Sequence, residues 1–293
     1  MQVAPTMSRT IAARALSGLQ ALPPFRPVLN RLLSTLSNDG VHISRVAEIV
    51  ESDPVIAATL LSHINSAFYG RRGTVDSVRT AVSLLGINKV RNAIFALSMS
   101  HLWRNIRLPD GWSIADFNLH SVACGVLSDA ISKRCHPAYP VGAFVAGLLH
   151  DVGSLLIVVA LPEENETIRR MQEGGWTRMD AERNVIGVTH ADLSALALEK
   201  WNLPEPIQRA VRYHHSPNFD TSPVRRGEVT LSRVLNCADE YVQLIHSEPG
   251  DGRPDQSFRA DHFAPLGIED VESMLDDFYT ELAVMTEAVS LAA

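Results

Sequence analysis

The sequence predicts an all-α protein with two helical lobes. Apolar residues recur at the three- and four-residue spacing of amphipathic helices, and no stretch shows the alternation of a half-buried strand. Pro, Asp and Gly follow one another within residues 105–112, which favours a boundary there. The charge also differs across that boundary, because residues 1–110 hold 12 Lys and Arg against 6 Asp and Glu, whereas residues 111–293 hold 14 against 27.

The first lobe, residues 20–111, is predicted to contain five or six short helices. Asp53 is expected to cap the helix that begins with Pro54, because Asp is favoured at the N-cap and Pro at the first helical position. A further helix is expected to begin after Asp76 or Ser77 and to stop at Gly86. Residues 1–19 are predicted to be an N-terminal tail, with a short amphipathic helix as the alternative.

The second lobe, residues 112–247, is predicted to begin with a helix from Ser113 to about Lys133, and Ser113 with Asp116 resembles a capping box. The later helices are expected at 163–173, 179–185, 190–201, 204–215 and 228–247. Residues 248–293 complete the chain, with a Gly- and Pro-rich loop over 248–266 and an acidic amphipathic helix over 268–289. We expect that helix to pack on a lobe, with a homodimer contact as the alternative.

The stretch 141–162 is almost wholly apolar, yet His150 and Asp151 lie at its centre. It is long enough to span a bilayer. A carboxylate at its midpoint and the lack of a second such segment favour a buried helix of a soluble protein instead. Burying two ionisable groups is costly unless they have partners. The stretch therefore predicts a polar cluster in the second lobe.

Composition narrows the class of protein. The net charge is −7, and no dense basic stripe with interleaved aromatic residues is present, so nucleic-acid binding is not expected. The three cysteines, Cys124, Cys135 and Cys237, are widely spaced and form no CxxC motif, which argues against a disulfide framework or a cysteine zinc site. A reducing cytoplasm fits this cysteine pattern, and the interpretation of 141–162 as a buried helix predicts no membrane association.

Four residues, each in a predicted helix, occur in the order histidine, histidine-aspartate, aspartate: His120, His150, Asp151 and Asp239. This order resembles the HD superfamily of metal-dependent phosphohydrolases. Imidazole and carboxylate ligands suit first-row metals such as iron or manganese. A metal of this kind makes bound water a usable nucleophile near neutral pH.

Further candidates are Asp116, one turn before His120, and His190, His214 and His215, which precede Asp239. Their order is similar to that of the two-metal HD-GYP phosphodiesterases. The resemblance implies one or two ions, with Asp151 as a bridging ligand. The sequence departs from that family at Ser154, where a phosphate-contacting lysine would stand, and it lacks the GYP triplet. Phosphate is therefore expected to have lost its cationic partner.

Residues 22–241 resemble another branch, the HDOD domain. The motifs are LPPFRPVLNRLL, IVESDPVIAATLLSHINSAFYGRR, AVSLLGINKVRNAIFALS, AFVAGLLHDVGSLL and THADLSALALEKWNLPEPIQRAVRYHH. The resemblance implies an all-helical bacterial signalling module without demonstrated catalysis, often joined to response-regulator or cyclic-di-GMP domains. The sequence shows no such companion, so we expect the signal to arrive from a separate protein. Arg71 and Arg72 are candidates for a partner or phosphate surface, with a solvated helix end as the alternative.

Two hypotheses therefore stay open. The first is a non-catalytic signalling module that binds proteins, with a structural or metal-holding cluster. The second is a metal-dependent phosphohydrolase that acts on nucleotides or cyclic dinucleotides. Each site residue also has a structural alternative: a hydrogen-bonded buried pair for His150 and Asp151, a helix cap for Asp116 and for His190, and a dipole contact at a helix end for His214 and His215. Ser154 and the missing GYP triplet favour the first hypothesis.

Overall fold

A computed structural model describes residues 13–19, 23–36, 41–65, 75–103, 106, 108–247 and 254–292. Over these ranges the chain is helical and contains no β-strand, which confirms the predicted all-α class. We number the helices α1 Pro27–Leu36, α2 Ile43–Glu51, α3 Pro54–Ile64, α4 Val78–Leu85, α5 Ile87–Trp103, α6 Ile114–Cys135, α7 Ala143–Leu149, α8 Val152–Ala160, α9 Pro162–Glu173, α10 Arg178–Val185, α11 His190–Lys200, α12 Glu205–Arg212, α13 Leu231–Ser247, α14 Gln256–Phe263 and α15 Val271–Ala292.

The N-terminal helices begin at the capping residues that the sequence indicates. Asp53 accepts hydrogen bonds from the backbone N–H groups of Val55 and Ile56 at the start of α3. Ser77, rather than Asp76, caps α4 by accepting from Thr80. These side chains satisfy backbone donors that have no partner within the helix.

At the N-terminus the structure agrees with the alternative prediction, a short helix, rather than with a tail. Residues 13–18 form a short helical segment, and Ala15 and Leu19 are buried. Arg14 pairs with Glu164 at 2.6 Å, and Lys200 donates to the Leu19 carbonyl. The segment is thereby held against helices of the second predicted lobe.

Several polar contacts join the N-terminal region to the rest of the described chain. The indole N–H of Trp201, at the end of α11, donates to the Pro23 carbonyl at 3.1 Å, and its ring stacks on Phe25 with the ring centres 5.4 Å apart. On α5, the buried guanidinium of Arg91 pairs with Asp129 of α6 at 3.2 Å. A buried charge needs such a partner because its desolvation is costly.

The stretch 141–162 is not one helix, which corrects the sequence-based prediction. It divides into α7 and α8, and His150 and Asp151 form the turn between them. Asp151 has φ −107° and ψ 13°, outside the helical region, so the helix axis breaks at the two polar residues. By length and composition Pro140–Ala160 could cross a bilayer, yet 83% of its apolar window is buried inside the fold, as in a core segment of a soluble protein.

Glycines allow close approach on both sides of this turn. A Cβ at Gly147 would lie 2.4 Å from the Cys124 carbonyl oxygen of α6. A Cβ at Gly153 would lie 2.0 Å from the His190 carbonyl oxygen of α11. Because both distances are below van der Waals contact, only glycine lets α7 and α8 reach these neighbours. The turn is therefore set deep between α6 and α11.

The C-terminal region contains a helix where the sequence predicts a loop over 248–266. Asp255 caps α14 by accepting from the Phe258 N–H, and Phe263 at its end is buried against Tyr241. The Gly- and Pro-rich composition of residues 248–266 favoured a loop, although Asp255 can cap a short helix there. On α15, Leu275, Phe278 and Met285 are buried within the chain, as expected for a helix that packs on a lobe.

Other helix ends differ by a few residues. The helix predicted over 204–215 ends at Arg212, so His214 and His215 lie in the turn after α12. The helix predicted from 228 begins at Leu231. Arg71 and Arg72, and most of the NSAFYGRR segment, lie outside the described residues.

Candidate metal centre

Three elements bring His120, His150 and Asp239 together. His120 lies on α6, His150 in the turn between α7 and α8, and Asp239 on α13. The Nε2 atoms of the two histidines are 3.3 Å apart. The Asp239 Oδ1 atom lies 3.2 Å from His120 Nε2 and 3.4 Å from His150 Nε2. Three donor atoms therefore form a nearly equilateral triangle in a mostly buried site.

A second group consists of His190, His214 and His215. His190 lies in the first turn of α11, and the other two follow α12. The Nε2 atoms of His190 and His215 are 2.8 Å apart, and all three residues place one nitrogen within 4.8 Å of the others. Asp151 stands beside this group, with Oδ1 3.5 Å from His190 Nε2.

Three buried histidines are oriented through their Nδ1 atoms. His150 Nδ1 bonds the Gly147 carbonyl at 2.7 Å, His214 Nδ1 bonds the Val211 carbonyl at 2.5 Å, and His190 Nδ1 bonds the Glu182 carboxylate at 2.7 Å. Each Nε2 atom is left to face the centre. Metal-binding histidines are held in this way, because the outer hydrogen bond fixes the tautomer and the ring orientation.

Asp116 does not join either group. Its side chain is exposed in the first turn of α6, where its backbone N–H bonds Ser113 Oγ at 3.1 Å. It lines the same cavity as His120, but within the described part of the chain its carboxylate is not among the converging ligand atoms. The geometry thus brings six of the eight predicted ligands into the two groups, places Asp151 beside the second group and leaves Asp116 at the rim.

The structure also bears on the structural alternatives for the histidines, which are a helix cap for His190 and a contact with a helix end for His214 and His215. Thr189, not His190, caps α11, because Thr189 and Asp192 bond each other's backbone N–H groups in a capping box. His214 and His215 lie beyond the last residue of α12. Their imidazole rings contact each other, with the ring centres 3.9 Å apart. His190 therefore does not cap α11, whereas His214 contacts both the other histidines and, through its Nδ1 bond to the Val211 carbonyl, the last turn of α12.

Neighbouring charges shift the pKa values of several groups in the cluster. Burial lowers the pKa of His150, but its hydrogen bond to Asp239 and the charges of Asp239 and Asp151 outweigh burial and raise that pKa to about 9. Burial raises the pKa of Asp239, but hydrogen bonds from His120 and His150 hold it well below its usual value. Burial and the neighbouring histidine charges lower the pKa of His215 to about 4.

Several residues of the centre escape prediction from sequence. Glu182 of α10 is fully buried and bonds both the ring and the backbone N–H of His190. Gln243 of α13 donates to Asp239 Oδ2 at 2.9 Å. Cys124, one helical turn after His120, places Sγ 3.6 Å from His120 Nε2. Cys124 and Gln243 each lie four residues after a candidate ligand on the same helix. This spacing places side chains side by side and was the sequence signal that could have identified them.

An open cavity of about 620 Å³ leads to these residues. Ser154 is buried and donates to Asp151 Oδ1 at 2.6 Å. Its hydroxyl therefore does not extend into the cavity, as the longer side chain of a lysine would. Arg178 of α10 lines the cavity, with Nη1 4.0 Å from Asp151 Oδ2. A residue distant in sequence therefore places a cation at the cavity, at a position other than that of Ser154.

The donor set fits a divalent metal ion. Metal–ligand distances of about 2.0–2.2 Å require neighbouring donors about 3.0–3.5 Å apart, depending on the coordination number. The separations of 3.2, 3.3 and 3.4 Å among His120, His150 and Asp239 meet that requirement. The buried Nε2 atom of His214 also has no hydrogen-bond partner among the described residues. A buried polar atom of this kind normally has one.

Comparisons with known proteins place the chain in a family. The family model for the HDOD domain matches residues 22–217. An HDOD domain protein of unknown function from Geobacter sulfurreducens has a structure with a TM-score of 0.74, 25% identity and coverage of 98% of each chain.

Two further structures share the fold. A candidate phosphohydrolase from Shewanella amazonensis has a TM-score of 0.72 and 23% identity, covering 96% of this chain and 98% of its own. A candidate signal transduction protein from Marinobacter aquaeolei has a TM-score of 0.72 and 22% identity, covering 97% and 66%. Matches to two curated relatives span 41% and 34% of the length of those proteins. With the motifs, the helical fold and a family match over residues 22–217, the chain belongs to the HDOD domain family.

Proposed function

We propose that the chain is a non-catalytic signalling module that binds a divalent metal and acts by docking on other proteins. The observation that carries the metal site is the orientation of three buried histidines, each tied through Nδ1 so that Nε2 faces the shared centre. An outer hydrogen bond at the second ring nitrogen is typical of metal-binding histidines. The ligands we assign are His120, His150, Asp151, His190, His214, His215 and Asp239.

Asp116 has a separate place in this proposal. It stands at the rim of the cavity one turn before His120, so we assign it to the ligand set only through the resemblance to two-metal enzymes. Iron or manganese, as one or two ions, suits this mixture of imidazole and carboxylate. Bound ions would supply positive charge that neutralises Asp151 and Asp239, and their ligands come from five parts of the fold: α6, the α7–α8 turn, α11, the turn after α12 and α13.

The non-catalytic role is supported by the surroundings of Asp151. Its Oδ1 atom is occupied by the Ser154 hydroxyl, where a phosphate-binding lysine would stand in the related phosphodiesterases. In this proposal a bound metal stabilises the fold around the α7–α8 turn, and the protein surface engages a response regulator or a cyclic-di-GMP enzyme in the cytoplasm. One relative in structure is itself a candidate signal transduction protein. Arg71 and Arg72 are proposed to belong to this docking surface.

Metal analysis tests the proposal directly. Protein purified without chelator is expected to carry one or two equivalents of iron or manganese, and His150→Ala and His190→Ala are expected to lose most of it. His42→Ala is the matched control, because His42 is exposed and its side chain makes no cap hydrogen bond. If the wild type neither retains nor rebinds a divalent metal, the proposed centre is wrong.

A second function is favoured by one observation, the open cavity in which Arg178 stands beside Asp151. A guanidinium there could bind a phosphate, as in a metal-dependent phosphohydrolase acting on nucleotides or cyclic dinucleotides. Turnover of a cyclic dinucleotide by the metal-loaded protein, lost in Arg178→Met and in His150→Ala, would overturn the non-catalytic assignment. Metal binding without turnover would support it.

A further inference from the structure

Cys124 is the fourth member of the group formed by His120, His150 and Asp239. Its Sγ atom lies 3.6 Å from His120 Nε2 and 3.9 Å from Asp239 Oδ1. All four ligand atoms lie within 4.8 Å of one another. The side chain is fully buried, so no solvent separates the thiol from the other donors.

These separations match the edges of a tetrahedron. Zinc–sulfur bonds of about 2.3 Å and zinc–nitrogen bonds of about 2.1 Å place sulfur and nitrogen about 3.6 Å apart in tetrahedral geometry. The same geometry places two nitrogen or oxygen donors about 3.4 Å apart. Two of the three sulfur edges are 3.6 and 3.9 Å, and the third, from Cys124 to His150, is at most 4.8 Å. The three edges among His120, His150 and Asp239 are 3.2, 3.3 and 3.4 Å.

We propose that Cys124 is a thiolate ligand, and that His120, Cys124, His150 and Asp239 form a tetrahedral site selective for zinc over manganese. This inference rests on the proposed metal-binding function and names the metal for one of the two groups. Thiolate is a soft ligand that suits zinc, whereas manganese prefers oxygen donors. The thiol gives up its proton to solvent when the ion binds, because a coordinated thiol is deprotonated.

A four-ligand zinc site has no position left for water. Structural zinc sites are closed in this way, whereas catalytic sites keep one position open. The site therefore suits the non-catalytic role, because the ion would hold α6, the α7–α8 turn and α13 together. His190, His214 and His215 supply three donors and remain a separate group.

X-ray absorption of the zinc-loaded full chain tests the inference without any variant. A sulfur shell at about 2.3 Å is expected beside nitrogen and oxygen at about 2.0–2.1 Å. Loading with cobalt is expected to give a sulfur-to-cobalt charge-transfer band in the near ultraviolet. Zinc or cobalt binding without any sulfur signal would overturn the role of Cys124 and leave the proposed centre intact. No binding of zinc or cobalt would overturn the inference, and the proposed function would fall with it only if the same protein also bound neither iron nor manganese.

Variants give the affinity test. Cys124→Ser is expected to remove the sulfur shell. Zinc binding is expected to weaken at least on the order of 10–100-fold, because loss of a hydrogen-bond partner of a ligand already weakens metal binding by that factor. Manganese affinity is expected to stay nearly unchanged. Cys135→Ser is the control, because Cys135 is buried on the same helix but is not among the converging ligands in the described chain. Equal loss of zinc affinity in both variants, or an equal loss for both metals in Cys124→Ser, would contradict the inference.

Discussion

Glu182 holds His190 from two directions. One carboxylate oxygen accepts the backbone N–H of His190 at 2.7 Å and also bonds ring Nδ1 at 2.7 Å. The other oxygen accepts a hydrogen bond from Arg178 Nε at 2.9 Å. The carboxylate is fully buried, and these contacts outweigh burial and lower its pKa. The position of the first turn of α11 and the direction of its histidine are thereby fixed together.

Glu182→Gln is expected to weaken metal binding on the order of 10–100-fold, as loss of an outer carboxylate partner does. The amide oxygen can still accept the His190 backbone N–H, so the fold should persist. Titration calorimetry of the metal-free variant measures the change. Glu199→Gln is the control, because Glu199 is exposed on the same helix as His190. Equal affinities for Glu182→Gln and the wild type would show that the outer carboxylate does not tune the centre.

Gly153→Ala is expected to destabilise the protein by about 1–3 kcal/mol or more, because a methyl group would overlap the α11 backbone. The new Cβ would lie 2.0 Å from the His190 carbonyl oxygen, which must move. The hydrogen bond from the Gly153 N–H to Ser194 Oγ at 2.8 Å would be strained as well. Urea unfolding measures the free energy of unfolding.

Gly174→Ala provides the comparison. Gly174 is exposed at the end of α9 with φ −80°, which any residue adopts, so a change within about 0.5 kcal/mol is expected. A Gly153→Ala variant as stable as Gly174→Ala would mean that α8 can move away from α11 without cost.

The sequence was sufficient for features that depend on local chemistry. Asp53 and Ser77 cap the helices that begin beside them, because their side chains bond N–H groups two or three residues away. The family-related order of His120, His150, Asp151 and Asp239 also pointed to residues that the fold brings to one place. Here a resemblance supplied the long-range information that periodicity lacks.

Features that depend on tertiary packing could not be predicted in this way. The break at His150 and Asp151 lies in an apolar run, and the glycines on either side of it contact α6 and α11, which are distant in sequence. Glu182 comes from a short polar helix with no feature that links it to His190. The helix α14 is stabilised by the contact of Phe263 with Tyr241, a residue on another helix.

Asp129→Ala is expected to lower the free energy of unfolding by about 3–5 kcal/mol, because it leaves a buried cation without its partner. Arg91 is buried on α5, and its guanidinium pairs with Asp129 at 3.2 Å. Burial already lowers the pKa of Arg91, and the charge of Asp129 opposes that shift. Denaturant unfolding gives the value.

Asp277→Ala is the matched control. Asp277 also pairs with an arginine of the same region, Arg134, at 2.9 Å, but its side chain is 68% exposed, so a loss of about 0–1 kcal/mol is expected. Similar losses in the two variants would show that the Arg91 charge finds another partner.

In the metal-free protein, three histidines with shifted pKa values, His150, His214 and His215, are expected to contribute most to stability near pH 6.5. The folded-state pKa of His215 is lowered to about 4 and that of His214 is also lowered, in both cases first by burial and then by neighbouring histidine charges. The unfolded chain therefore binds more protons between about pH 4 and 6.5, and stability rises with pH there. The folded-state pKa of His150 is raised to about 9. Above about pH 6.5 the folded protein binds the extra proton, so stability falls as pH approaches 9.

Urea unfolding across this range, with a chelator present, measures the free energy of unfolding. We expect it to rise with pH up to about 6.5 and to fall above that value, which we call the rising and falling limbs. Each differential proton contributes a slope of at most about 1.4 kcal/mol per pH unit. His150→Gln removes the group responsible for the falling limb, so the variant should lose less stability than the wild type between about pH 6.5 and 9. An unchanged falling limb in that variant would show that His150 does not hold the proton, and that its Nε2 atom is free to bind an ion at neutral pH.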